Sequence, residues 1–372
     1  MIFMPLDAEN LLWTKKLIRL KPAELAAPFK LLKQQFDNVG HDSVHVQEML
    51  PDIRRRFLQV SLGGLVWMLK RMAAHTWVVG GERLGALQKM DRDHTLVFVA
   101  NHCSNADYIF LPLMVNQMGL WHTHILASSK LNIFPFGWLY KRWGAYFVRQ
   151  GERSLQYYKL LKAWLAYLLA KNFNLLVFPE GGLSQDGLLR NPQSGFFKIL
   201  MNASEIKKVI VVPVMFAYDW VPEDRQLVYK KNHKPENWTY WRKIKMLKFF
   251  RNYGDMYCRV YEPMYMQDWL AKNKAGSPDL LVEQIFEQFR SQPIVSGSSF
   301  LAKVALEHPD SDREILKEKF VALCAQYQNA IVFKDDSAEF DRIYGIFKSR
   351  ELFSEPDILK YYANHLENGT VE

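Results

Sequence analysis

Negative charge, cysteine and long apolar runs are all in short supply in this chain of 372 residues. Its 39 acids are outnumbered by 48 Lys and Arg, which leaves a formal net charge of +9. A surplus of that sign draws a protein to nucleic acid, anionic lipid or an acidic carrier. Neither zinc-finger spacing nor an RNP-type motif is present, which argues against nucleic acid as a partner. The three cysteines, Cys103, Cys258 and Cys324, stand far apart. They form neither a disulfide framework nor a metal-ligand cluster, and they fit a reducing compartment. No stretch reaches the roughly 18 uncharged apolar residues that cross a bilayer. The best apolar runs, 57–69 and 160–170, are too short. The first residues, MIFMPLDAENLLWTKKLIRLK, carry early acids and no apolar run with a small-residue cleavage site, so no signal peptide is expected. If the protein meets a membrane, it is expected to lie on the cytoplasmic face as a peripheral protein.

Aromatic residues are plentiful at 14%, with 11 Trp. They suit surfaces that are apolar at one end and wet at the other, and they also fill ordinary cores. Residues 1–80 read as mostly helical: Leu17, Leu20, Leu25, Phe29, Leu32 and Phe36 recur at roughly helical spacing, interrupted by Pro22 and Pro28. Pro51 suits the first turn of a helix reaching about Met72. Near Trp77 the pattern changes. TLVFVA (95–100), HILAS (124–128), NLLVFP (174–179) and VIVVPVMFAY (209–218) read as strands, separated by helical stretches at 106–118 and 159–171. Pro213 inside the last of these marks it as an edge strand or a bulge. Strands alternating with helices predict an α/β fold. The expected divisions are a helical N-terminal region, 1–76, an α/β domain, 77–275, and a helical C-terminal region, 276–372. No internal repeat or low-complexity tract is found.

Chemistry concentrates in VANHCSNADYIFLP (99–112). A buried strand ends in Asn101-His102, and Asp107 follows at the start of a helix. A histidine leaving a strand end sits where α/β sheets place their ligands. A carboxylate one turn away can fix its tautomer and leave the other ring nitrogen as a base. By itself that spacing also describes a histidine near a helix cap. In LLVFPEGGLSQDG (175–187) a strand runs into Glu180, Gly181 and Gly182, then Ser184; the glycines admit close approach of backbone to a ligand, and Glu180 can bind hydroxyls. In WGAYFVRQ (143–150) a short apolar run ends in Arg149, a side chain suited to phosphate or carboxylate. His122 and His124 share a strand face, but no third ligand follows at useful spacing, so no metal site is expected. Cys103 and Ser104 are weak candidates for a nucleophile, because no G-x-S-x-G elbow surrounds them.

In this order these segments resemble the glycerolipid acyltransferase superfamily, marked by N-H-x4-D, G-x-x-F-x-R, F-P-E-G-T-R-S and a V-P-V run. Here the motifs stand as Asn101-His102 with Asp107, Gly144 with Phe147 and Arg149, Phe178-Pro179-Glu180-Gly181 with Ser184, and Val212-Pro213-Val214. The resemblance covers about residues 77–224 and looks most like the glycerol-phosphate acyltransferase branch. It implies a mixed sheet flanked by helices, with His102 as general base and Asp107 orienting it. It also implies that a glycerol-phosphate-type or lysophospholipid acceptor is bound by Arg149, Glu180, Gly181, Gly182 and Ser184. The co-substrate would be acyl-CoA or an acyl carrier protein thioester, with no cofactor, in phospholipid biosynthesis. One departure stands out: Leu183 replaces the family arginine directed at the acceptor's phosphate, with Arg190 and Arg153 as candidate replacements. Gln150 also stands where some members carry a second arginine. Two alternatives follow from this departure, a non-catalytic lipid-binding relative and an acyltransferase for a non-phosphorylated acceptor. A hydrolase that uses the same histidine on water is a third.

Residues 225–251 hold nine Lys or Arg and one acid, Glu236. Trp238, Trp241, Ile244 and Leu247 fall three apart within them. This basic aromatic stretch is expected to meet an anionic membrane surface, with an acidic acyl carrier protein as a second fit.

Overall fold

The structure, a computed structural model, describes residues 9–11, 18–20, 55–132, 136–149, 151, 154–203, 206–232, 253–274, 276–327, 330–331, 333 and 334–369. Its frame is a nine-stranded sheet. In chain order the strands are β1 (Glu9–Asn10), β2 (Thr76–Val79), β3 (Thr95–Ala100), β4 (Thr123–Ser128), β5 (Ala145–Val148), β6 (Asn174–Val177), β7 (Val209–Tyr218), β8 (Met256–Val260) and β9 (Met264–Tyr265). They lie in the order β1-β2-β8-β7-β3-β6-β4-β5, with β9 also pairing β7. The five strands from β7 to β5 run parallel to one another. Their carboxyl ends therefore share one edge, where open α/β sheets bind ligands.

The two central strands, β3 and β7, are buried at every position. Burial on both faces is why they read as continuous apolar runs rather than as an alternation. The alternation survives underneath: Leu96, Phe98 and Ala100 enter one core, Val97 and Val99 the other. The first core is covered by α1 (Arg55–Met72), α2 (Gly81–Leu87) and α3 (Asp107–Gln117). The second is covered by α5 (Leu155–Ala170), which follows the short α4 (Phe136–Arg142), and by α6 (Gly195–Met201). Beyond β7 come α7 (Asp224–Asn232) and α8 (Met266–Lys272), then α9 (Pro278–Ser291), α10 (Gly297–Glu307), α11 (Arg313–Cys324), α12 (Asp336–Arg350) and α13 (Pro356–Ala363). The C-terminal helices do not form a separate layer. Phe289 of α9 lies in the second core, while Phe300, Phe340 and Tyr362 of α10, α12 and α13 complete the first.

The strand with Pro213 is not an edge strand, contrary to the expectation from sequence. β7 lies in the interior of the sheet, paired with β3 along 209–214. On its other side β9 pairs with Ile210 and Val211, and β8 pairs from Val214 onward. Pro213 falls where β7 changes partners. Its carbonyl accepts the Tyr261 N–H at 3.0 Å on that side, so the N–H that proline lacks falls in the gap between two ladders. A central strand tolerates proline where no neighbour needs the donor.

Of the expected N-terminal helical region, the regular elements lying wholly within the described residues are the short strand β1 and helix α1. β2 begins at Thr76, so the expected division at 76/77 runs through a strand. No helix among the described residues is long and apolar enough to cross a membrane.

Candidate active site

His102 follows β3 directly, and a side chain places it. The Asn101 amide donates to the Phe216 carbonyl at 3.0 Å, and its oxygen accepts the Phe216 N–H at 2.7 Å. Asn101 thus continues the pairing of β3 with β7 by one side-chain step. The chain then turns, and Asp107 opens α3. Its Oδ2 accepts the N–H groups of Cys103 (2.9 Å) and Ser104 (3.0 Å) and faces His102 Nδ1 at 3.0 Å. Its Oδ1 accepts the Tyr218 hydroxyl. One carboxylate therefore closes the loop, fixes the imidazole and ties both to the end of β7.

The Glu180 loop grips His102 from the other side. Glu180 Oε1 accepts the His102 N–H at 2.8 Å, and Oε2 accepts the Arg190 N–H at 2.8 Å. Ser184 N–H donates to the His102 carbonyl at 3.1 Å. Burial pushes the Glu180 carboxyl up to about 8, against the two N–H bonds and the Arg190 charge that favour its ionised form. Gly181 has φ +68°, and a Cβ there would stand 2.8 Å from the Gln193 amide nitrogen. Both the left-handed backbone and the contact favour glycine.

A cavity of about 1090 Å³ opens beside this pair, at the upper end of ordinary ligand sites, which run to about 1,000 Å³. It lies at the carboxyl ends of β3 to β6. Leu126, Tyr146, Leu161, Leu165, Val177 and Phe197 give it an apolar part, while Lys130, Arg149, Arg190 and Lys230 bring positive charge. His102, Arg149, Gly181 and Gly182 all line it, as does Leu183. Glu180 and Ser184 do not: Glu180 is 2% exposed and spent on backbone N–H groups, and the Ser184 hydroxyl donates to the Leu188 carbonyl at 2.8 Å. Of the seven residues singled out from sequence, four line the cavity, Asp107 stands behind His102, and Glu180 and Ser184 brace the loop behind the cavity.

Sequence reasoning passed over Tyr108, Tyr218 and Glu223. Tyr108 presents its hydroxyl to His102 Nε2 at 3.1 Å. Glu223 accepts the Ser104 hydroxyl at 2.7 Å and the Asn105 amide at 2.9 Å; burial pushes its carboxyl up to about 7. Tyr218 and Glu223 lie more than 110 residues from their partners, so local spacing carries no sign of them. Tyr108 was adjacent to Asp107 and legible only as a helix residue.

The weaker candidates fall away on geometry. Burial holds the Cys103 thiol well above its ordinary range, and the Ser104 hydroxyl is committed to Glu223. His122 Nε2 meets the Trp143 carbonyl oxygen at 3.0 Å, and His124 stacks on Phe173 with centroids 4.8 Å apart. Among the described residues no group of three His, Cys, Asp or Glu is placed to hold a metal ion. Gln150, Arg153 and the basic aromatic residues 233–251 lie outside the described residues; of 225–251, residues 225–232 are described, in α7.

Residues 82–217 match a family model described as Acyltransferase. A glycerol-3-phosphate acyltransferase of Shewanella denitrificans is 28% identical over 238 residues, covering 62% of this chain and 29% of that protein. One from Actinobacillus pleuropneumoniae serotype 5b is 27% identical over 230 residues, 60% of this chain and 28% of its own. Another, from Shewanella baltica, is 28% identical over 234 residues, 61% of this chain and 28% of its own. The chain spans under a third of the length of these curated relatives.

Proposed function

We propose that this chain, whose residues 82–217 match a family model described as Acyltransferase, transfers a fatty acyl group from a thioester to a hydroxyl of a glycerol-phosphate-type acceptor. The observation that carries the reading is the His102–Asp107 pair at 3.0 Å, opening on a cavity that is apolar in one part and cationic in another. Asp107 holds Nδ1–H, which leaves Nε2 basic. His102 draws the proton from the acceptor hydroxyl, the oxygen attacks the thioester carbonyl, and the thiolate leaves. The apolar lining suits the acyl chain. Arg149 and Arg190 suit the acceptor's phosphate, since guanidinium groups pair with phosphate oxygens.

Arg190 fills the gap left by Leu183. A Cβ on Gly182 would stand 3.0 Å from Arg190 Nη1, so glycine at 182 leaves room for that guanidinium beside the loop. The donor is acyl-CoA or an acyl carrier protein thioester; both present a thioester to the same base. The basic stretch 225–251 supports peripheral attachment to anionic lipid, and its described end brings Lys230 to the cavity.

The test is an assay of purified protein with both thioesters against glycerol 3-phosphate, lysophospholipid and uncharged glycerides, with His102→Ala alongside. Loss of the positioned base is expected to lower kcat by about 10²–10⁴-fold. Turnover only with uncharged acceptors would remove the phosphate reading, and near-normal turnover by His102→Ala would remove the base.

A further inference from the structure

The basic nitrogen of His102 already has a hydroxyl against it, that of Tyr108 at 3.1 Å. Asp107 Oδ2 already accepts two backbone N–H groups and sits 3.0 Å from Nδ1. As an acceptor it fixes the proton on Nδ1, so the Nε2 lone pair points away along the ring plane. Tyr108 Oη stands on that line at 3.1 Å, so the phenol donates to Nε2. The imidazole is 4% exposed. One face of it is stacked on Phe178, with centroids 4.2 Å apart and planes at 26°. With Nε2 engaged by the phenol and both residues lining the cavity, the phenol oxygen is the group left to accept a hydrogen bond from an acceptor hydroxyl.

Tyr108 is packed between two aromatic rings. It is 9% exposed, in the first turn of α3, with its ring edge-on to Phe178 at 5.1 Å and 6.3 Å from Tyr140. It lines the same cavity as His102. Resting on the acyl-transfer reading above, we infer that Tyr108 is a further catalytic residue, whose hydroxyl relays the acceptor's proton to His102. As the acceptor oxygen bonds to the thioester carbon, its O–H bond breaks and that proton passes to the phenol oxygen. The phenol's own proton passes to Nε2. When the tetrahedral intermediate collapses, the C–S bond breaks and the same relay runs backward, returning a proton to the departing sulfur. The phenol is neutral before and after each step. Burial, with Tyr140 and Asp107 nearby, holds the phenol well above its ordinary pKa, so a free phenolate is disfavoured and the two transfers are coupled.

Tyr108→Phe removes the oxygen and keeps the ring and its packing. In single-turnover reactions with acyl-CoA and glycerol 3-phosphate it is expected to slow the chemical step by about 10²-fold, the lower end of a positioned acid–base group's worth, with KM for both substrates nearly unchanged. A plot of rate against deuterium fraction is expected to bow for wild type, with two protons in flight, and to be linear for the variant. Undiminished turnover by Tyr108→Phe would overturn the relay and make the tyrosine a placeholder. A rise in KM alone, or the same plot shape in both proteins, would overturn it as well. His102→Ala in parallel separates the two readings. If it is inactive while Tyr108→Phe is normal, only the relay falls; if it turns over normally, the base itself falls.

Discussion

Two buried or half-buried His–Asp pairs stand at almost the same separation, His102–Asp107 at 3.0 Å and His75–Asp255 at 2.9 Å. Distance does not distinguish them; surroundings do. In the first pair the side chains are 4% and 0% exposed, and His102 lines the cavity. In the second His75 is 51% exposed. Asp255 also accepts the Trp77 indole N–H at 3.0 Å and the His75 N–H at 3.2 Å, and its own N–H donates to Asp219. That second pair joins β2 to the start of β8 and continues into a cluster with Asp219, Glu339 and Arg342. A His–Asp pair becomes a base when its free nitrogen has somewhere to take a proton from.

The two clusters are expected to fail in different ways, one in turnover and the other in stability. The largest effect is the fall in kcat described above for His102→Ala, with Asp107→Asn comparably severe because the wrong tautomer is favoured; the unfolding curve of His102→Ala is expected to stay near wild type. Arg342→Ala is the converse. Arg342 donates to Asp219 at 2.6 Å and to both Glu339 oxygens at 2.7 and 2.9 Å. Removing it strands buried carboxyls, at a cost of about 3 kcal/mol, read from urea denaturation. Turnover per folded molecule is expected to be unchanged. A loss of kcat without a loss of stability in Arg342→Ala would merge the two clusters into one functional unit.

Arg190 sharpens the site half of the comparison. Arg190→Ala is expected to raise KM for glycerol 3-phosphate about tenfold, the loss of one hydrogen bond to a charged group, with KM for the thioester unaltered. Gly182→Thr should move in the same direction, because its Cβ displaces Nη1. A silent Arg190→Ala would leave Arg149 as the phosphate partner.

The loop behind the base offers a pH signature. Burial raises the Glu180 carboxyl to about 8, whereas an unfolded chain releases that proton near 4.3. The native state thus holds a proton that the unfolded state has lost. The stabilising contribution is complete below the unfolded value and disappears as pH rises through about 8. Glu180→Gln cannot titrate. The Tm of wild type minus that of the variant is expected to fall from about pH 4.3 to about pH 8 and to level off above that. A difference that holds constant or climbs across that range would mean that Glu180 stays ionised throughout.

How much of this was legible in sequence follows from where the information lies. β3, β6 and β7 were readable because burial on both faces writes an unbroken apolar run. His102 and Asp107 were readable because five residues of one loop hold both. Asn101 was read as part of the motif, but its reason, a side chain that pairs with Phe216, exists only once β3 and β7 are neighbours. Pro213 misled for the same reason: its tolerance depends on a change of partners between β9 and β8. Glu180 was read as a substrate contact because a carboxyl after a strand end faces a ligand site. The loop instead turns it inward onto two backbone N–H groups.

The smallest expected effect closes the comparison from the other side. His75→Ala removes an imidazole that touches Asp255, yet Asp255 keeps the Trp77 indole and the His75 backbone N–H as donors. Arg342 Nη1 stands 3.9 Å away as a further positive charge. The carboxylate is thus left neither bare nor without a cation, and a half-exposed pair contributes about 0–1 kcal/mol. His75→Ala is expected to shift the urea midpoint slightly and to leave kcat and both KM values untouched, in either thioester assay. His102→Ala, at nearly the same interatomic distance, is expected to lower kcat by about 10²–10⁴-fold. Should the His75 variant lose activity in proportion to the His102 variant while remaining folded, the separation into a catalytic and a structural pair would be wrong, and the sheet between them would have to carry the coupling.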